Sequence, residues 1–335
     1  MRDQLIKACA SIIPQALSNV LVGEFVPVFL LHRIIDCNAQ PNLTEVKRLH
    51  TYLEYLRKNN YHPISISELI IRILSGDTLP ERSVVFTVDD GFADQFEHLA
   101  PIFSQYDIPL TCFVITDMLD GILWPWDDQV KHIIRTTELK SLKVDFPDGS
   151  IFSYSLHQND KVKVIDSMRN RLKSQDQTYI YKWLAGFYNV AEVEIPPEPP
   201  LKYRGASWEQ AKRFVKQGHS IAAHSKTHRI LSRLNDAEVR DEIMGSYQHL
   251  KFKLPEAVDI FAYPTGRRAD FGGREEKIIR DSPLLGAVSV IPDAVRKGHQ
   301  LEALPRFGLP NNMSDFLQCL SFIEVFKNKL RKIRS

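Results

Sequence analysis

Ser83-Val84-Val85-Phe86-Thr87-Val88-Asp89-Asp90-Gly91 is the stretch whose reading decides the fold. Ser83 to Val88 is a short apolar run rich in β-branched and aromatic residues, which predicts a buried strand. The run stops at two carboxylates and a glycine. Upstream, Val26 to Leu31 predicts another buried strand. Thr44 to Asn59 predicts a helix, with apolar residues at Val46, Leu49, Leu53 and Leu56 and Thr44 as its N-cap. Downstream, Phe92 to Tyr106 reads as a helix and Leu110 to Ile115 as a strand. The same alternation returns later: strands at His219–Ala223, Val258–Ala262 and Gly286–Ile291, helices at Trp208–Gln217, Asp236–Lys253, Arg274–Arg280 and Asp315–Leu330. Strands alternating with helices of this length predict βα units around a parallel sheet, an α/β fold.

Leu123 to Pro200 breaks the rhythm. It holds Trp124 and Trp126, a hairpin around Pro147-Asp148-Gly149, a long helical stretch and the stiff exit Ile195-Pro196-Pro197-Glu198-Pro199-Pro200. The expected organisation is therefore an N-terminal amphipathic helix (1–22), a parallel α/β unit in two pieces (23–122 and 201–312), an insertion of mixed character (123–200), and a C-terminal helix with a basic tail (313–335).

With 43 basic and 41 acidic residues in 335, the net charge is +2, which argues against a general nucleic-acid binder. The four cysteines, Cys9, Cys37, Cys112 and Cys319, are far apart in sequence and form neither a disulfide framework nor a Cys-based zinc site. Pro14, Gln15, Ser18 and Asn19 interrupt the apolar N-terminus, so no clean signal peptide is expected there, and no run of about 20 apolar residues predicts a membrane span. The expected location is the cytoplasm.

Three polar motifs each follow a predicted strand: Asp89-Asp90-Gly91, His224-Ser225-Lys226-Thr227-His228, and Ala262-Tyr263-Pro264-Thr265-Gly266. In parallel βα architectures the ends of such strands converge on one mouth. Two histidines at i and i+4 grip one ion if the loop opens into a helical turn. One carboxylate then completes three protein ligands and leaves a position for water, whose pKa falls toward about 7. A second, uncoordinated carboxylate takes the water's proton. Asp89 and Asp90 divide these two roles. His32, directly after Val26–Leu31, is expected at the same mouth, as a proton donor to the leaving group or as a strand-end cap.

In these motifs the chain resembles the polysaccharide deacetylase family, the NodB-homology group also called carbohydrate esterase family 4. The family's TFDDG is matched by Thr87-Val88-Asp89-Asp90-Gly91, its HSxxH by His224 to His228, and its RPPYG in weakened form by Ala262 to Gly266. Val28 to Arg33 is similar to the N-terminal LMYHRV-like strand of many members. The resemblance implies a distorted (β/α) barrel with a mixed insertion. It makes Asp89 the general base, and Asp90, His224 and His228 the ligands of one divalent ion, zinc first, with cobalt or nickel fitting the same ligands. It gives the backbone N–H of Thr265 to the oxyanion. The third motif's arginine, which orients the base in the family, is Ala262 here. Arg267, Arg268 and Arg306 are candidate substitutes, with Arg306 preferred. The family's late LxH and DxxDW-like motifs are absent.

The function so implied is metal-dependent removal of an N-acetyl or O-acetyl group from a carbohydrate, a glycan or polysaccharide precursor. The alternatives are a deformylase or other amidohydrolase on a lipid-linked aminosugar, and a non-catalytic carbohydrate-binding homologue. Tyr263, Pro264, Trp124 and Trp126 are candidate substrate contacts. Expected partners are the carbohydrate and, through the apolar stripe of the first helix and the cations Lys327, Lys329, Arg331, Lys332 and Arg334, weak peripheral contact at the inner membrane face. No obligate protein partner is expected.

Overall fold

The computed structural model describes residues 23–31, 33–35, 38–157, 160–321, 323–325 and 327–328. Its strands are, in chain order, β1 (Phe25–Val26), β2 (Val28–Leu31), β3 (His62–Pro63), β4 (Ser83–Asp90), β5 (Leu110–Val114), β6 (Ser141–Asp145), β7 (Ile151–Ser155), β8 (Ser220–Ala223), β9 (Ile260–Ala262), β10 (Gly286–Val288), β11 (Val295–Arg296) and β12 (Phe307–Gly308). Seven of them form a parallel sheet in the order β10-β9-β8-β5-β4-β2-β12, with β3 adding to β4. The sheet is strongly curled. Leu304 bridges in parallel to Val288 of β10, and three residues later Phe307 pairs with Phe29 of β2, so one short segment reaches both ends of the sheet. This is the distorted parallel barrel that the motifs imply.

The period of two along β4 sorts its side chains. Val84, Phe86 and Val88 pack outward against Leu49, Leu53, Leu56 and Phe103 of the surrounding helices. Val85 points inward, to an interior shared with Phe113 of β5, Ala222 of β8, Ala262 of β9 and Val288 of β10. Burying each large aliphatic or aromatic side chain of these layers contributes about 1.5–3 kcal/mol. Thr87 and Asp89 follow Val85 at the same period and so face the interior at its C-terminal mouth.

A separate apolar cluster gathers Trp124, Trp126, Ile133, Leu142, Met168, Leu184, Phe187 and Tyr203. It joins the antiparallel hairpin β6–β7 to the helices Trp126–Thr136, Lys161–Lys173 and Ile180–Val190.

Several expected elements have different ends or builds. The helix expected at Thr44–Asn59 is Leu43–Lys58, and Asn42 caps it by accepting from the N–H groups of Thr44 and Glu45. A side-chain amide one residue before the first turn does the work assigned to Thr44. The helices expected at 92–106 and 236–253 each contain a π-helical turn, Gln95–Leu99 and Asp241–Gly245. The helix expected at Asp315–Leu330 begins as Met313–Leu320 and is interrupted at Ser321, with residues 323–325 and 327–328 helical again. The N-terminal amphipathic segment, His32 and the basic tail beyond Asn328 lie outside the described residues. No described helix is long and apolar enough to cross a membrane.

Candidate metal centre and active site

β4 delivers two adjacent carboxylates to one cleft, although a regular strand sends neighbours to opposite faces. Asp90 has φ +85°, which breaks the alternation, and Asp89 and Asp90 both line a cleft of about 630 Å³ at the strand ends. Gly91 follows at φ +89°, and a Cβ there would sit 3.0 Å from the side chain of Val114, so the turn requires glycine. Gln95 holds the turn. Its Oε1 accepts from the N–H groups of Gly91 and Phe92, and its Nε2 donates to the Asp89 carbonyl. Sequence reading missed this residue, because nothing local marks a glutamine as a turn clamp.

His224 and His228 reach the same cleft from the loop after β8. They do not share a helical turn. Ser225 and His228 take φ +65° and +60°, and the His228 N–H donates to Ser225 Oγ. A strained loop therefore brings the rings together where a helix face was expected. With Asp90 and Thr265 (φ +54°), four non-glycine residues in the left-handed region cluster at one mouth. Each such conformation costs on the order of 1–3 kcal/mol and persists only where the surroundings impose it.

Among the described residues, Asp90, His224 and His228 form one group whose ligand atoms all lie within 4.8 Å of one another. Asp90 Oδ1 is 3.5 Å from the Nε2 of each histidine. That is long for an N–H···O hydrogen bond. It is close to the roughly 3.4 Å edge of a tetrahedron whose ligand atoms lie about 2.1 Å from a common centre. His224 Nδ1 is 2.8 Å from the Ala262 carbonyl, which assigns its proton to Nδ1 and leaves the Nε2 lone pair toward Asp90. Burial lowers the pKa of His228 and outweighs the Asp90 charge, which favours the neutral ring that ligates metals. Burial works the other way on Asp90, yet its carboxyl is held below its usual range through contact with His224 and His228. Asp89 and Asp90 in turn raise the pKa of His224 against its burial, so the carboxylates favour positive charge at this spot. The donor set fits one divalent ion.

Asp89 is held differently. Arg306 grips it with two bonds, Nη1 to Oδ1 and Nη2 to Oδ2, both 2.7 Å. Arg306 is 1% exposed, and it also donates to the Ser289 carbonyl and Thr87 Oγ1. Of the three arginines considered as substitutes for the missing one at Ala262, Arg306 contacts Asp89. Arg268 pairs with Glu276, and Arg267 lines the cleft. Thr265 also lines the cleft, and among the described residues its N–H donates to no protein acceptor.

The aromatic residues correct the sequence expectation. Trp126 is fully buried and its Nε1 donates to the His228 carbonyl, so it braces the histidine loop. Trp124 is buried against Tyr203. Tyr263 is buried, stacked on Phe271 and bonded to the Glu302 carbonyl, and Pro264 is buried beside it. None of these four lines the cleft. Large apolar rings were drawn into the two cores, where their burial contributes most.

Polar residues that the sequence reading passed over stand there instead. Asp127 and Asp128 open the helix after Pro125. Asp127 pairs with Arg169 at 2.7 Å and its Oδ1 is 3.9 Å from His228 Nδ1; Asp128 pairs with Lys131 at 2.6 Å. Burial and the neighbouring Asp127 push the Asp128 carboxyl up to about 6.

Glu242 is the other omission. It is wholly buried in the π-helical turn and accepts from the N–H groups of Lys226 and Thr227, the Thr227 hydroxyl and Arg229 Nε. This one carboxylate closes the histidine loop from behind. We predict that Glu242→Gln lowers metal affinity about 10- to 100-fold, as expected for a group that orients a ligand. Calorimetric titration of metal into the stripped protein measures it. Unchanged affinity with an unchanged fold by circular dichroism would refute this role.

The profile of the polysaccharide deacetylase family matches residues 76–144 and 170–273, a little over half of the chain. An Escherichia coli poly-β-1,6-N-acetyl-D-glucosamine N-deacetylase is 30% identical over 102 residues, which cover 30% of this chain and 15% of that protein. The chain thus matches only a small part of that relative's length. A Streptococcus pyogenes deacetylase, PplD, solved with acetate superposes with a TM-score of 0.57 at 16% identity, over 89% of this chain and 98% of that one. IcaB from Ammonifex degensii gives 0.55 at 15% identity, over 88% and 98%. At such identities the superpositions establish a shared fold. The Asp-Asp-Gly turn of β4 and both histidines fall inside the matched segments, and on the strength of that match the chain belongs to the polysaccharide deacetylase family.

Proposed function

We propose that this protein is a metal-dependent carbohydrate deacetylase that removes an N-acetyl or O-acetyl group from a glycan or polysaccharide precursor. The observation that carries the reading is the pairing, in one cleft, of a three-residue ligand set with a separate carboxylate clamped by a buried arginine.

Asp90, His224 and His228 hold one divalent ion, zinc in the first instance and cobalt or nickel as fitting substitutes. When bound, the ion supplies Lewis acidity at the acyl carbonyl and acidifies water. Asp89 takes the proton of the attacking water. Arg306 fixes the orientation of that carboxylate through its two-point grip, so that it acts as base rather than as a further ligand. The Thr265 N–H, held in place by its left-handed backbone, donates to the oxygen that gains charge; such a donor contributes about 3–4 kcal/mol. His32, carried from sequence alone, is proposed as the proton donor to the leaving group.

Acyl release from a panel of N-acetylated oligosaccharides and lipid-linked aminosugars, with metal content measured alongside, tests the reading. Acetate released in proportion to bound metal is expected. Formate in place of acetate would make the protein a deformylase. Neither product, from protein holding one ion per chain, would leave a binding module.

A further inference from the structure

Most cations at the cleft are already occupied. Arg306 holds Asp89, Arg33 holds Asp94, Lys131 holds Asp128 and Arg169 holds Asp127. Lys173 and Arg267 line the same cleft, and among the described residues neither side chain makes a hydrogen bond or an ion pair with a carboxylate. They come from different elements. Lys173 ends the helix Lys161–Lys173, and Arg267 stands in the loop after β9. The Arg267 backbone N–H donates to Asp270 at 2.9 Å, so the loop is fixed while its guanidinium is left to the cleft. Burial lowers the pKa of Lys173 and the charge of Arg169 lowers it further; Asp127 and Asp270 pull the other way without restoring it, and Arg267 adds to the lowering. A part-buried ammonium kept close to a second cation is held at a cost, and an anion between them would relieve it.

We propose that Lys173 and Arg267 form an anion-binding subsite, and that the carbohydrate substrate carries a phosphate or a carboxylate that seats there. The proposal rests on the deacetylase reading for the word substrate. Arg267 is two residues from Thr265 in the same loop, and both line the cleft with Lys173, so the anion would seat in the cleft that takes the acyl group. A guanidinium matches both anions bidentately, and an ammonium adds a point charge. A nucleotide-linked or lipid-linked sugar supplies phosphate; a uronic acid supplies carboxylate.

The test separates binding from turnover. Glucose 1-phosphate, glucuronate and glucose, none of which has an acyl group, are titrated calorimetrically into the metal-loaded protein and into K173Q, R267Q and the double variant. We expect one of the two anionic sugars to bind better than glucose, which identifies the anion. Each substitution should weaken that sugar about 10- to 100-fold, the size of a hydrogen bond to a charged group, with metal content unchanged. In kinetics, the ratio of kcat/KM for the matching anionic N-acetylated substrate over a neutral N-acetylglucosamine oligomer should fall in step. Wild-type protein that binds neither anionic sugar better than glucose overturns the proposal. So does a double variant that binds the anion as tightly as wild type, which would place the anion on the metal. Absence of any acyl release overturns the deacetylase reading instead, and the binding titration still decides the subsite.

Discussion

Asp89→Asn is expected to keep the metal and the fold while losing about 100- to 10,000-fold in kcat, the usual contribution of a general base. The reason lies in how the two carboxylates are held. Asp90 faces the histidines at 3.5 Å, and Asp89 faces Arg306 at 2.7 Å through both oxygens. An asparagine still accepts from one Arg306 N–H but cannot take a proton. The substitution leaves Arg306 less well compensated, although it still donates to Ser289 and Thr87. Removing one partner of a buried ion pair costs on the order of 3–5 kcal/mol, so a lowered Tm is expected as well, and rates are to be read well below it. Metal content by elemental analysis is the discriminating measurement. If Asp89→Asn emptied the site while Asp90→Asn left it filled, the two roles would be reversed.

The second large effect belongs to the histidines. His224→Ala or His228→Ala removes one of three protein ligands, and a site with two is expected to release its ion on dialysis. Turnover should then drop by more than the roughly 100-fold that loss of an outer supporting group costs. His224 offers a finer check, since its Nδ1 contacts the Ala262 carbonyl. His224→Gln retains a polar side chain of similar reach without an imidazole lone pair, and it should also lose the metal while the fold persists. One ion per chain retained in the His224→Ala/His228→Ala double variant would end the assignment of this centre.

Both predictions draw on sites that were legible as a pattern before any coordinates. Asp89-Asp90-Gly91 and the HxxxH pair stand out because each follows an apolar run, and strand periodicity is a property of a few consecutive residues. What joins them was not legible. Arg306 lies 217 residues from Asp89. Sequence could nominate it with Arg267 and Arg268, but the choice depended on the segment near Leu304 meeting both ends of the sheet. The helical turn expected for the histidines failed for a related reason. Spacing of four is compatible with a helix face, but the loop is shaped by Glu242, Trp126 and Tyr181, all from other elements.

The sequence by itself determined six of the seven strands of the main parallel sheet, several of the helices and the ends at which chemistry collects, because hydrophobic period and strand-end polarity are local; it passed over the two-residue strand β12 and the helix Ile66–Ser75. Tertiary structure alone decided which arginine grips the base, which residues take left-handed backbones, and that the tryptophans at 124 and 126 brace the cores instead of facing the cleft. It also set Asp127, Lys131, Arg169 and Lys173 beside the histidines. Those outcomes follow from the curl of the sheet and from competition for buried space, where a ring gains more from a core than from an open mouth, and a charge persists only where an opposite charge from a distant segment meets it.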